Sequence, residues 1–256
     1  MPPALAVPLV AALGLSVGSF LNVCIYRLPR GQSIAWPPSR CPSCGHAIRW
    51  HHNVPVLGYM ALGGRCFDCS TRISPVYPVV EAVTAAVFVL HYQQHGWSAL
   101  FVVRLAFAAA MIALFTIDLE HQILPNLITL PGIAIGLVAS LFVEPGWRSA
   151  VLGALLGGGL LWLVSEAYFR IRGVEGLGFG DVKMLAMIGA FLGWKLTIVT
   201  LFGASLAGAA LGLALIAAGR GSLQLKLPFG SFLAVGAVAA GLWGQPFVDW
   251  YTSFYR

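Results

Sequence analysis

Eight stretches of this chain are long and apolar enough, or nearly so, to cross a lipid bilayer, and that pattern decides most of what it can fold into. A crossing needs roughly 17–25 mainly apolar residues in a helix, because hydrocarbon offers no partner to an open peptide group. The stretches run approximately over 4–26, 76–91, 97–117, 127–143, 149–169, 184–193, 196–218 and 231–248. The sixth is short, so seven crossings is the alternative count. Charged residues make up only 9% of the chain, where a soluble domain carries about 25%. The sequence therefore predicts an all-α polytopic membrane protein of about eight transmembrane helices. The first stretch has no basic residues ahead of it and no small-residue cleavage site after it, so it reads as a retained span.

The net charge of +6 raises the question of a nucleic-acid partner. The basic residues sit in loops between apolar segments, with no patch of interleaved aromatics, so the lipid bilayer is the expected partner and nucleic acid is not. With the N-terminus outside, the inside loops hold Arg27, Arg30, Arg40, Arg49, Arg65, Arg72, Arg170, Arg172, Lys183, Arg220 and Lys226. The outside loops hold Arg148, Lys195 and Arg256, and Arg104 lies near the outer end of the third span, where it can reach water or a partner. Lys and Arg favour the cytoplasmic side, so 27–75 is a cytoplasmic segment and both termini are periplasmic. Glycine pairs at Gly14/Gly18, Gly153/Gly157 and Gly208/Gly212 have the spacing that lets membrane helices approach closely.

The cytoplasmic segment carries Cys41-Pro-Ser-Cys44 and Cys66-Phe-Asp-Cys69, two pairs separated by 21 residues. Each pair can bind one side of a tetrahedral soft metal, and a small domain with little helical periodicity needs such a staple. A reducing cytoplasm disfavours disulfides. A redox dithiol is the competing reading, and it needs no second pair, so structural zinc on these four thiols is expected. His46, His51 and His52 are nearby as ordinary loop histidines or substitute ligands, and Cys24 reads as a packing residue within the first span.

Acidic side chains beside hydrocarbon are expensive, so their positions inform. Asp118 follows directly on the third span, and Asp181 closes Gly176-Leu-Gly-Phe-Gly-Asp181 just before the sixth. The topology puts both at the cytoplasmic side at similar depth, where two carboxylates sharing a proton can activate a water against a peptide carbonyl. Helix-end fields alone favour the proton on Asp118, at a carboxyl end, and the anion on Asp181, at an amino end beside Lys183. Ordinary loop acids are the plainer reading of both. Glu120, His121 and Glu166 read as interfacial or paired residues, and Asn22 as a helix-to-helix hydrogen bonder.

Together these residues resemble the type IV prepilin leader peptidase and N-methyltransferase family. The resemblance rests on Gly18-Ser-Phe-Leu-Asn22-Val, Arg27-Leu-Pro29, both cysteine pairs, Trp50-His-His-Asn53-Val-Pro55, Ile73-Ser74 and Tyr77-Pro78-Val-Val-Glu81. It continues through Asp118, Leu124-Pro125-Asn126, Gly178-Phe-Gly-Asp181-Val-Lys183 and Pro228-Phe-Gly230, spanning nearly the whole chain. It implies an inner-membrane aspartyl endopeptidase that cleaves the basic leader of type IV prepilins or type II secretion pseudopilins. It also implies methylation of the new N-terminus from S-adenosylmethionine. By position Asp118 and Asp181 become the catalytic pair, Cys41, Cys44, Cys66 and Cys69 the metal ligands, and Glu81 a residue of the methyl-donor region. The implied division is a first transmembrane helix over 1–26, a cytoplasmic four-cysteine methylase region over 27–75 and a membrane-embedded protease over 76–256. The chain departs from the family pattern at Gly63 and Val76, where arginines are expected. Two other readings stand beside it: a non-enzymatic zinc-bearing transporter or assembly scaffold, and a methyltransferase without protease activity.

Overall fold

A computed structural model describes residues 2–173, 178–220 and 227–254. Gly176 of the glycine run, and Lys226 and Arg256 of the charge count, lie outside the described residues. The helices are α1 Pro3–Arg27, α2 Leu57–Ala61, α3 Val76–His95, α4 Ala99–His121, α5 Asn126–Ala139, α6 Trp147–Arg172, α7 Phe179–Ala217 and α8 Phe229–Ser253. The described residues form no β-sheet, only two isolated bridges between α1 and α3. Two compact units are present, Met1–Phe101 and Val102–Arg256.

Six of these helices are long and apolar enough to span a membrane: α1, α3, α4, α6, α7 and α8. The 14-residue α5 falls short of that length. Large apolar side chains such as Leu9 of α1, Leu155 of α6 and Phe202 of α7 point outward, as expected where the solvent is lipid.

In the first unit, α1 and α3 pack through the glycines the spacing singled out. A Cβ on Gly14 would lie 2.5 Å from the Ala85 Cα, and one on Gly18 would lie 2.6 Å from the Glu81 Cα. Asn22 donates from Nδ2 to the Tyr77 carbonyl at 3.0 Å, so it does join the two helices. At the end of α1, Arg27 turns its guanidinium onto the Ser33 and Pro37 carbonyls, tying down the segment that follows.

In the second unit the long α7 is two legs. Gly193 breaks it with φ 76° and ψ 169°. Contacts with the neighbours fix the direction of each leg. Along α6, Gly153 meets Gly189 and Gly193 while Gly157 meets Leu185, so the first leg runs antiparallel to α6. Along α8, Gly236 meets Thr200 and Gly244 meets Leu196, so the second leg runs antiparallel to α8. Because α7 and α8 both begin beside Asp118, the chain travels away from that edge up to Gly193 and returns after it. Phe107, Met111 and Leu114 of α4, Met184 and Ile188 of the first leg, and Leu233 of α8 fill the core between them. The third glycine pair behaves differently: a Cβ on Gly208 or Gly212 would make only ordinary contacts, at 3.7 and 3.5 Å. Spacing alone does not distinguish a close approach from an open groove. Arg104 is buried in α4, within the field of Glu144 but without an ion pair to it among the described residues.

Candidate active site and cysteine centre

Four helix ends meet at one edge of the second unit. Asp118 sits in the last turn of α4, which closes at His121 before Gln122 turns left-handed at φ 53°. Leu124, Pro125 and Asn126 then carry the chain into α5. Leu124 wedges between the starts of α7 and α8: a Cβ on Gly180 would lie 3.0 Å from the Leu124 Cβ, and one on Gly230 would lie 3.0 Å from its Cδ1. Both glycines ease the approach, because these helix ends close onto one leucine that a Cβ would press to give way by a few tenths of an ångström.

Asp118 is buried, with 5% of its surface exposed. Its Oδ2 accepts the Ser231 backbone N–H at 2.6 Å and the Ser231 hydroxyl at 3.0 Å. Asp181 opens α7 with its carboxyl met by the Gly178 N–H, and lies within electrostatic range of Asp118. The structure therefore brings the two sequence-predicted carboxylates together. Lys183 turns away from them, donating to Asn126 Oδ1 with its ammonium over the Phe179 ring. Among the described residues it makes no ion pair with Asp181. Glu120 and His121 form a loose pair at 3.9 Å, and Glu166 pairs with Arg170 one turn on at 2.8 Å. Ser231 was not among the residues the sequence pointed to. Its signal was limited to Pro228 standing ahead of an apolar run, which marks a helix start.

The cysteine centre lies between α1 and α3 and is built twice from one local design. Cys41 N–H bonds the His46 carbonyl and Gly45 N–H returns to the Cys41 carbonyl. Likewise Cys66 N–H bonds the Thr71 carbonyl and Ser70 N–H returns to Cys66. Arg40 pairs with Ala47 and Arg65 with Arg72 to close each turn. The residue after the second cysteine of each pair is left-handed, Gly45 at φ 74° and Ser70 at φ 57°. The four Sγ atoms lie within 4.8 Å of one another, with Cys41 and Cys69 3.8 Å apart. A tetrahedron with metal–sulfur bonds of about 2.3 Å has edges of roughly 3.8 Å, so the set fits such an ion. Hydrogen bonding to Thr71 holds the Cys69 thiol down at about 6. Cys44, against the pull of a backbone hydrogen bond from His46, is pushed up to about 12 by desolvation and the three other sulfurs. His52 stacks on Phe67 at 4.8 Å and His46 offers its carbonyl to Cys41, so these histidines support the turns.

Glu81 is buried on α3. Its Oε2 accepts the Val56 N–H at 2.7 Å, and Ser19 and Asn22 of α1 also bond the carboxyl. Val56 itself occupies a strained γ-turn at φ 60°, closed by Leu57 N–H onto the Pro55 carbonyl. Gly63, one of the departures from the family pattern, is left-handed at φ 57°, where an arginine would be strained.

Comparison with known sequences finds one family match within each of the two compact units. Residues 12–95 match the family described as the bacterial peptidase A24 N-terminal domain, and residues 105–213 match the type IV leader peptidase family. A protein of Pseudomonas putida called prepilin leader peptidase/N-methyltransferase is 39% identical, over 96% of this chain and 93% of its own length. One of the same name from Burkholderia pseudomallei is 37% identical over 96% of this chain and 88% of its own length. A third, from Pseudomonas aeruginosa, is 35% identical over 94% and 92%. No solved structure matches the chain.

Proposed function

This chain belongs to the type IV leader peptidase family, and we propose that it cleaves the basic leader from type IV prepilins or type II secretion pseudopilins and then methylates the new N-terminus. The observation that carries the protease reading is the meeting of Asp118, buried, and Asp181, half-buried, from separate helices at one edge beside Leu124. Two carboxylates that feel each other's charge favour holding a single proton between them. The ionised one takes a proton from water as the water oxygen attacks the scissile carbonyl, and the other gives its proton to the carbonyl oxygen. In the second step the first carboxyl passes its proton to the amide nitrogen as the carbon–nitrogen bond breaks. The second recovers a proton from a hydroxyl of the tetrahedral intermediate, and the pair ends as it began. By the positive-inside count, this edge and the cysteine segment face the cytoplasm at the bacterial inner membrane, with both termini periplasmic.

For the second activity, the segment over 27–75 is the methylase region and the protease lies within 76–256. A zinc ion held by Cys41, Cys44, Cys66 and Cys69 would be closed to substrate by its four thiolates and so structural. S-Adenosylmethionine supplies an electrophilic methyl group to the freed amine. Glu81 serves that region by fixing the Val54–Leu57 turn against α1, since its carboxyl is already engaged there.

The test is mass spectrometry of a peptide with a basic leader, a glycine, a phenylalanine and an apolar stretch. Wild-type enzyme removes the leader and, given methyl donor, adds one methyl. Asp118→Asn and Asp181→Asn each lower cleavage by at least about 10³-fold, while a pre-cleaved peptide is still methylated. Near-normal cleavage by either variant would sink the dyad.

A further inference from the structure

We infer that Ser231 is a positioning residue for the peptidase, fixing Asp118 as the ionised member of the pair and leaving Asp181 to carry the proton. This rests on the aspartyl reading above. Both donors of Ser231 converge on one atom: the backbone N–H at 2.6 Å and the hydroxyl at 3.0 Å from Asp118 Oδ2. The serine is as deeply buried as its acceptor, at 4% exposed, so water does not compete for the contact. Its hydroxyl also lies 3.2 Å from the Phe115 carbonyl of the same helix as Asp118, which sets the side chain's rotation.

An oxygen that accepts two donors is served best as an anion, because hydrogen bonds to a charged acceptor are about twice as strong as neutral ones. Asp181 has one backbone donor, from Gly178, and Lys183 is committed to Asn126. The start of α8, which the helix-end argument from the sequence did not include, brings a third helix N-terminus to the site and aims it at Asp118. The earlier assignment therefore reverses: Asp118 takes the proton from water and Asp181 polarises the carbonyl. Saturation of Oδ2 leaves Oδ1 of Asp118 as the oxygen that faces the water. Among the described residues, the titratable groups nearest Asp118 along these helices are Asp181 and Lys183 of α7, with Glu120 and His121 on its own helix; Arg104 of α4, Lys195 of α7, and Asp249 and Tyr251 of α8 stand farther along them. Removing the Ser231 hydroxyl changes none of them.

The experiment measures cleavage by full-length enzyme in detergent or lipid nanodiscs across pH for Ser231→Ala, Ser231→Thr and Ser231→Val. The alanine keeps the backbone donor and loses the hydroxyl. Its kcat is expected to fall about 10-fold with KM unchanged, and the acid limb of the rate profile to move up by about one pH unit. Threonine and valine have nearly the same shape and differ in the hydroxyl, so threonine should retain the wild-type profile and valine should follow alanine. An unmoved acid limb in Ser231→Ala, or indistinguishable threonine and valine profiles, overturns the assignment. Should Asp118→Asn itself remain active, the protease reading fails first, and the two failures are told apart.

Discussion

The cysteine centre and the carboxylate pair are assembled in opposite ways. Each cysteine turn is closed by hydrogen bonds reaching no more than nine residues along the chain, from Gly45 to Cys41 and Cys66 to Thr71 out to Ile48 to Ser39 and Ile73 to Gly64. The carboxylate site depends on contacts between residues 113 apart, such as Ser231 with Asp118. A local design can be repeated and read by eye, and here it is repeated with the same offsets in both copies. A non-local design is specified by whatever brings four helix ends to one place, and much of that is the absence of side chains. The Cβ atoms missing from Gly180 and Gly230 ease the start of α7 and α8 against Leu124.

That contrast can be broken experimentally. The largest effect is expected from the metal. Stripping the cysteine centre with chelator, or replacing Cys41 with serine, should abolish methylation and expose the remaining thiols to alkylation, because a turn of this size draws its fold from the ion. Leader cleavage should persist, since Asp118 and Asp181 are held by helices of the other unit. Metal analysis and thiol-labelling mass spectrometry read the first outcome, and peptide cleavage reads the second. Loss of both activities together would show that the two regions are not separable.

Next in size is Gly230→Ala. Its Cβ would lie 3.0 Å from both Asp118 Oδ2 and the Leu124 Cδ1, so the carboxylate must shift. The shift is a few tenths of an ångström, less than the displacement of about 1 Å that costs about 10²-fold, so turnover is expected to fall by roughly 10-fold, with methylation of a pre-cleaved peptide unchanged. The smallest effects lie in the paired turns. Ser70 at φ 57° occupies the conformation that Gly45 occupies at φ 74°. Ser70→Gly is expected to stabilise the metal-loaded segment by roughly 0.5–1 kcal/mol, and Gly45→Ala to destabilise it by about 1 kcal/mol. Chelator titrations comparing the two variants would expose this opposition, and equal behaviour would show that the copies are not equivalent.

Apolar run length and the acids at its borders made the helical fold and the two aspartates legible in the sequence. The four cysteines were legible because their geometry is carried within each turn. The run over 184–193 is also correctly placed as a segment distinct from the one after it. The structure supplies the reason in the backbone of Gly193, and six of its helices, α7 counted once, have the full length and apolarity of a span. Ser231 was illegible because a serine in a helix's first turn is common, and nothing in its neighbourhood announces the partner. Lys183 was placed near Asp181 by number alone, whereas its side chain reaches another loop. The glycine pairs show the same limit, since three identical spacings give two tight crossings and one loose one.

Gly193 decides more than a bend. Were the run from Phe179 to Ala217 straight, its 39 residues would form a rod roughly 58 Å long, nearly twice the hydrocarbon thickness. It would deliver Pro228-Phe-Gly230 to the side opposite Asp118. A side chain at 193 would be strained at φ 76° and would meet the Ser149 hydroxyl at 2.3 Å. The edge at which α8 begins, and with it the meeting of Ser231 with Asp118, therefore depends on the backbone of one residue with no side chain.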